Sequence, residues 1–455
     1  MKMIRWFSLF FMILIIKGGS VQGQDSNYVK RVICDLSAPE MYGRAAPYNG
    51  EYLAAQYIKK ELKQLKVHPL GNNFFQEYPI YGYEMIGDVT VVVDKVVLNN
   101  FYDYRLPFHT PSINGEFRVI HAPLEILDYT IEGDSYQLSE MAQTRWERFQ
   151  KKNKERLKSE VIYFNADLIS DLPCDSLTKV RIRQNLNNWK HETTNVFEFS
   201  KIMIGMSDLP GFGTRKMEEK EFSFFYIKPE KITHKTKKIR IHFENKMGYR
   251  TTQNVVGIIP GTTEPDSFVV LMGHYDHLGM LGDDCVFYGA FDNASGVAYV
   301  LSLGQYFVHN RLKYSIILIL TSGEESGLQG STYFVEHPLV PLDKIIQVIN
   351  FDLVCGGDEG LMMFNGVNPL NARFLNQMER INEAENWVPQ IKRGRNAPNS
   401  DHYPFTLKEI PALFTLTIGG LKPNETHTPE DRCEFCGVNY SERILKLFIR
   451  TLETF

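Results

Sequence analysis

From residue 250 onward the chain alternates between short, almost wholly apolar runs and longer stretches with helical spacing. "NVVGIIPGT", "SFVVLMGHYDH", "YSIILILTSGEE", "IIQVINFDLV" and "PALFTLT" hold apolar residues at consecutive positions, so each predicts a strand covered on both faces. Between them, "NASGVAYVLSLGQYFVHN", the stretches near 327–337 and 369–384, and a closing segment from Ser441 to about 454 predict helices. Such strands, separated by helices, predict an α/β fold with a mostly parallel central sheet covered by helices on both faces. Ligands of sheets of this kind collect beyond the carboxyl ends of the strands.

Upstream, "GEYLAAQYIKKELKQL" places Leu53, Tyr57, Ile58, Leu62 and Leu65 near one helical face, so residues 24–85 read as the N-terminal part of the same core. Residues 86–248 differ: short β-rich runs such as "DVTVVVDKVVL" and "EVIYF" alternate with charged stretches and predict an inserted β-rich domain. Residues 249–455 then form the main part of the principal domain. The basic run "RWERFQKKNKERLK" at 145–158 reads as the solvated face of a helix in the insertion.

The first residues carry Lys2 and Arg5, an apolar segment from Trp6 to Ile16, Lys17, and then small and polar residues. That segment is too short to span a bilayer, so residues 1–23 predict a cleavable secretory signal and an exported protein, periplasmic or extracellular, with no stable membrane anchor. The 455 residues are 43% hydrophobic and 23% charged, which argues against disorder, and a formal net charge of -4 gives no field to gather nucleic acid. Six cysteines are too few to form the framework of so long a chain. "CEFC", Cys433 to Cys436, reads as a structural disulfide or two free thiols rather than half a zinc knuckle, and Cys285 and Cys355 are placed by sequence to approach each other.

The polar residues that interrupt the apolar pattern fall at the predicted strand ends. His274 and Asp276 end one strand, Glu324 and Glu325 another, and Asp352 a third; Asp292 opens a helix and His427 lies in a late loop. Singly these read as strand-end, capping and loop residues, but two histidines and so many carboxylates at one sheet edge require cations. Oxygen and imidazole donors without cysteine suit zinc or a related divalent ion in a catalytic site. Two ions with three protein ligands each need one carboxylate to bridge. Because neighbouring side chains of an extended segment point apart, Glu324 and Glu325 have separate jobs, one as ligand and one as general base.

"GHYDHLG", "GAFDNASGVA", "TSGEESGLQGS", "INFDLV", "SDHYPF" and "THTPED", in this order, resemble the exported dizinc aminopeptidase family, of leucyl aminopeptidase and aminopeptidase Y type, which also contains glutaminyl cyclases and some carboxypeptidases. The resemblance covers about 250–435, and "GRAAPYNGEYLAAQYIKKEL" resembles the family's leading helix. It implies a zinc-exopeptidase-like fold with two Zn²⁺ per chain: Asp292 bridging, His274 and Asp352 completing one site, Glu325 and His427 the other. It further implies Glu324 as general base, Asp276 orienting the His274 ring, and a cis bond between Asp292 and Asn293.

The reaction implied is hydrolysis of N-terminal residues from peptides with a free amino terminus, by a hydroxide shared between the metals. The insertion at 86–248 has the place and size of a protease-associated domain. Where some members carry a tyrosine as oxyanion donor this chain has Ala397, which leaves Arg395, Ser400 or the metals for that task, and gives Ser400 and Asp401 an even chance of touching substrate. The alternatives are a glutaminyl cyclase, disfavoured because His274 is kept; a carboxypeptidase, with Arg393 and Arg395 as candidate carboxylate clamps; and a non-catalytic binding module, disfavoured because no ligand is missing.

Overall fold

The computed structural model describes residues 25–107, 110–132, 135–188, 197–209, 222–420 and 426–455; the expected signal at 1–23 lies outside them. The main unit contains α1 (Ser26–Leu36), α2 (Gly50–Gln64), β1 (Phe75–Val93), β2 (Lys238–Ile259), β3 (Glu264–His274) and α3 (Ser295–His309). It continues with β4 (Tyr314–Thr321), α4 (Gln329–Glu336), β5 (Ile345–Phe351), β6 (Gly360–Phe364), α5 (Ala372–Glu385), β7 (Ile391–Arg393), β8 (Ala412–Ile418) and α6 (Ser441–Thr454).

The strands lie in the order β7-β6-β8-β5-β3-β4-β2, with β8, β5, β3 and β4 mutually parallel and β6 and β2 antiparallel to their inner neighbours. Period-two alternation covers both faces. Val269, Leu271, Ile316, Leu318, Leu320, Ile349 and Leu413 pack in one cluster with residues of α1, α2, α3 and α6. Val270, Met272, Ile317, Ile319, Val348 and Ala412 point the other way, against Phe334 and Val335 of α4 and against Phe405. Full burial of each such side chain stabilises by roughly 1.5–3 kcal/mol, which makes this sheet the stiff platform of the site.

Three features differ from the sequence reading. α1 is an additional helix, capped by Asp25 accepting the Asn27 N–H and burying Val29, Val32, Ile33 and Leu36 at helical spacing. In α2 the buried side is Ala54, Ala55, Ile58 and Leu62, while Leu53 is exposed, because small residues let the helix lie close to its neighbours. The short strands β6 and β7 have no counterpart among the predicted elements.

Between β1 and β2 the sheet continues through Ile113–His121, Val161–Asn165, Lys201–Gly205 and Ser223–Ile227, the last three joined in parallel to the strand before, with helices Glu140–Asn153 and Ser176–Asn188 alongside. β1 and β2 pair from Phe75↔Val255 to Val93↔Ile239, so positions 86 and 248 lie inside one ribbon rather than in linkers.

Cys285 and Cys355 do not approach each other as expected. Cys355 is bonded to Cys436 and Cys34 to Cys433, while Cys285 is a buried free thiol. Neither cysteine of "CEFC" bonds the other, because each reaches a different partner: Cys433 the helix α1, Cys436 the loop after β5. Lys30 of α1 adds hydrogen bonds from Nζ to the carbonyls of Cys433 and Cys436. These ties hold the segment after residue 426 against the core. A Cys355→Ala/Cys436→Ala variant is expected to lose about 2–5 kcal/mol of stability, seen as a lower urea midpoint; an unchanged midpoint would show that packing alone holds the segment.

Candidate metal centre

Strand register explains why the polar residues meet. In the β3–β4 ladder His274 is level with Thr321, and in β3–β5 Met272 is level with Asn350, so two residues further on His274 and Asp352 come level at the carboxyl edge. Glu324 and Glu325 follow β4 after a turn at Gly323, whose φ of 71° is left-handed. Asp276 secures that turn: its Oδ1 and Oδ2 accept the N–H groups of Glu324 and Glu325, each at 3.3 Å.

The centre of the cluster is Asp292. Its Oδ1 lies 3.3 Å from His274 Nε2 and its Oδ2 3.0 Å from His427 Nε2, so one carboxylate faces two histidines on opposite sides. His274 Nε2 is also 3.4 Å from Asp352 Oδ1, and His427 Nε2 is 3.3 Å from Glu325 Oε1. His274, Glu324 and Asp352 offer donor atoms within 4.8 Å of one another, as do His277, Asp292 and Glu325, and all six are buried. Every residue expected at the site is brought together. His427 reaches it with a left-handed φ of 58°, a conformation costly for a side chain of its size and held here by the disulfide-tied segment.

Asp292 is not a helix cap. α3 begins at Ser295, and Asn293 Oδ1 accepts the N–H of Gly296 in its first turn at 2.9 Å. The Asp292-Asn293 peptide bond is cis, as the resemblance implied. Asp431 accepts the amides of Phe291 (2.7 Å) and Asp292 (3.0 Å), and the fully buried Arg44 donates to the carbonyls of Tyr275, Leu36, Tyr288, Gly289 and Asp292. Main-chain donors and acceptors around Asp292 are thus gripped from opposite sides. At Gly289 (φ 59°) a Cβ would come 2.3 Å from Asp292 O, 2.5 Å from Arg44 Nη2 and 2.6 Å from His277 Cδ2, so only glycine fits.

Charges inside the cluster are pushed apart. Burial opposes ionisation at Glu324, and despite the pull of His274 the carboxylates of Glu325, Asp352 and Asp401 join it in raising the Glu324 carboxyl well above its ordinary range. Glu325 feels the same burial, but His427 and a hydrogen bond with His277 hold it below that range. Burial resists charge on His274 and His427 too, yet Glu324 and Asp352 beside the first, and Glu325 and Asp292 beside the second, hold both rings toward protonation. The two neighbouring glutamates are thus shifted in opposite directions.

These donors fit divalent zinc on two grounds. Imidazole and carboxylate are its common ligands, and Asp352 Oδ1 and Glu325 Oε2 are buried without a hydrogen-bond partner, which is costly unless a cation takes the lone pairs. Ser400 is wholly buried and donates to Asp352 Oδ2 at 2.6 Å while accepting from Asn350, and the buried Asp401 accepts from Thr321. Both lie behind the ligands, in the loop that precedes the short helix Tyr403–Thr406. The His274 Nδ1 atom lies nearer the Asp276 carbonyl oxygen (3.2 Å) than its carboxylate (3.6 Å), since the carboxylate is engaged by the Glu324 and Glu325 amides. Arg393 is spent on Glu379 and Asn376.

Residues 254–451, which carry all of these ligand candidates, match the sequence model of Peptidase family M28. This segment belongs to peptidase family M28. A zinc aminopeptidase from Bacillus subtilis has the same fold as this chain, with a TM-score of 0.67 at 16% identity over 94% of this chain and 95% of that one. A peptidase M28 precursor from Shewanella amazonensis SB2B aligns with a TM-score of 0.62 at 14% identity, over 95% and 93% of the two chains. In sequence, a probable leucine aminopeptidase 2 of Aspergillus oryzae is 31% identical over 189 residues, 39% of this chain and 36% of that protein. The mouse aminopeptidase NAALADL1 is 34% identical over 196 residues, 40% of this chain and 24% of that protein. The matched segment thus spans about a quarter to a third of the length of these curated relatives.

Sequence reasoning passed over three residues of this site: His277, Arg44 and Asp431. Each lies inside a quoted motif, "GHYDHLG", "GRAA" or "THTPED", but their partners are main-chain atoms or neighbours far along the chain, and spacing does not reveal those.

Proposed function

We propose that this protein is a secreted, zinc-dependent aminopeptidase that removes N-terminal residues from peptides. The observation that carries the reading is the single Asp292 carboxylate facing His274 with one oxygen and His427 with the other, with Glu324 beside it. His274 and Asp352 would hold one ion, Glu325 and His427 the other, and Asp292 both. Bound zinc supplies Lewis acidity at the substrate carbonyl and makes water a nucleophile at neutral pH.

The chain's own residues supply the proton handling. Glu324, buried beside His274 and Asp352, takes the proton of the attacking water and returns it to the amine as the C–N bond breaks. Glu325, held ionised, stays a ligand. Asp276 keeps the two glutamates apart by fixing their amides, and Ser400 orients Asp352. Residues 86–248 are proposed to be an inserted domain, of protease-associated type, carried on the β1–β2 ribbon. Two disulfides suit an oxidising compartment, which supports export; among the described residues no helix is long and apolar enough to cross a membrane.

The test compares free, amino-blocked and carboxyl-blocked peptides with and without chelator. Hydrolysis of free-amino and carboxyl-blocked substrates, lost with chelator and regained with zinc, is expected. Cleavage that needs a free carboxyl end would move the reading to a carboxypeptidase, and ammonia release from N-terminal glutamine peptides with the chain intact would move it to a glutaminyl cyclase.

A further inference from the structure

His277 is wholly buried beside the metal cluster and stands outside the expected ligand set. Its Nδ1 is 2.9 Å from Glu325 Oε1, and its ring lies 5.7 Å from that of His427 between centroids. Two imidazoles therefore flank one carboxylate oxygen, since His427 Nε2 approaches the same Oε1 at 3.3 Å. The backbone that carries the ring is fixed, since the His277 main-chain N–H donates to the Arg44 carbonyl at 3.2 Å, and the bare face of Gly289 makes room for Cδ2.

An imidazole so placed either ligates an ion through Nδ1 or donates its proton to the carboxylate. Donor atoms about 2.0–2.1 Å from a common tetrahedral ion lie about 3.3 Å apart. The His274–Asp292, His274–Asp352 and His427–Glu325 separations are 3.3, 3.4 and 3.3 Å. The His277–Glu325 contact, at 2.9 Å, is shorter and has hydrogen-bond length. The Glu325 oxygen that His277 does not touch, Oε2, is the one buried without a hydrogen-bond partner.

We propose that His277 is a positioning residue for the second metal site: it donates Nδ1–H to Glu325 Oε1 and thereby holds the Glu325 carboxylate in place beside the ion that His427 also faces. This rests on the two-metal reading above. Removing a hydrogen-bond partner of a metal ligand typically weakens binding about 10–100-fold.

The experiment measures zinc stoichiometry and affinity by chelator competition, and the visible spectrum of the cobalt-loaded protein, in wild type, His277→Asn and His277→Leu. The Asn amide nitrogen occupies the place of Nδ1 and keeps a donor there, whereas Leu removes it. Expected are two zincs in wild type, one of them weakened about 10–100-fold in His277→Leu with the other unchanged, and near recovery with an unaltered cobalt spectrum in His277→Asn. If His277→Leu does not fold, His277→Gln, whose amide falls at the Nε2 position, replaces it. A His277→Asn protein as weak as the Leu variant, with a changed cobalt spectrum, would make His277 a ligand and overturn the proposal. Equal affinities throughout would remove any role. Fewer than two zincs in wild type would sink the two-metal reading itself, before any variant is compared.

Discussion

Glu324→Gln is expected to lower turnover by about 10²–10⁴-fold while leaving zinc content at the wild-type level. The side chain keeps its volume and a carbonyl oxygen but can no longer accept and return a proton. Packing should not change, because the turn that carries it is fixed through main-chain amides on Asp276 and through the Glu324 carbonyl, which accepts from Gly327 and Leu328. Metal retention is expected because His274, Asp292, Asp352, Glu325 and His427 are all untouched. The pH profile gives a second readout. A base works only when ionised, so activity rises with pH along an acid limb set by the Glu324 carboxyl losing its proton. In the glutamine variant the limb should vanish from whatever kcat/KM remains. Full activity in Glu324→Gln, measured on a free-amino peptide, would transfer the base to another group.

Asp292→Ala is expected to weaken both zincs together, each by more than the roughly 10–100-fold that loss of an outer hydrogen-bond partner costs. The reason is geometric: Oδ1 and Oδ2 face His274 and His427 at 3.3 and 3.0 Å, so one substitution strips a ligand atom from each side. Elemental analysis after dialysis against graded chelator would show occupancy falling in parallel at both sites. Selective loss of one ion would mean that Asp292 serves a single metal and that another carboxylate bridges.

The grip on Asp292 explains why this residue can be shared. Arg44 lies between α1 and α2 in the chain, and burial lowers its guanidinium to about 10 against the opposing pull of Asp431 and Asp292. A guanidinium that stays charged at neutral pH and donates to five carbonyls costs much to desolvate, and the fold recovers that cost by fixing the loop that offers Asp292. Asp431, four residues after His427, holds the amides of the same loop. The disulfides to Cys433 and Cys436 keep that arrangement in place from outside.

Local pattern determined a good deal by itself. Runs such as "YSIILILT" are apolar at every position, so they had to be buried on both faces, and this dictated parallel strands under two layers of helices. Carboxylates and histidines placed where those runs stop could only be strand-end residues, so the ligand candidates were readable from one dimension. Only tertiary structure decided which atoms meet. Arg44 binds main-chain carbonyls, Cys433 and Cys436 reach Cys34 and Cys355 instead of each other, and His277 touches Glu325 from 48 residues away. Contacts of that kind depend on how elements pack in three dimensions, and neither periodicity nor spacing along the chain encodes them.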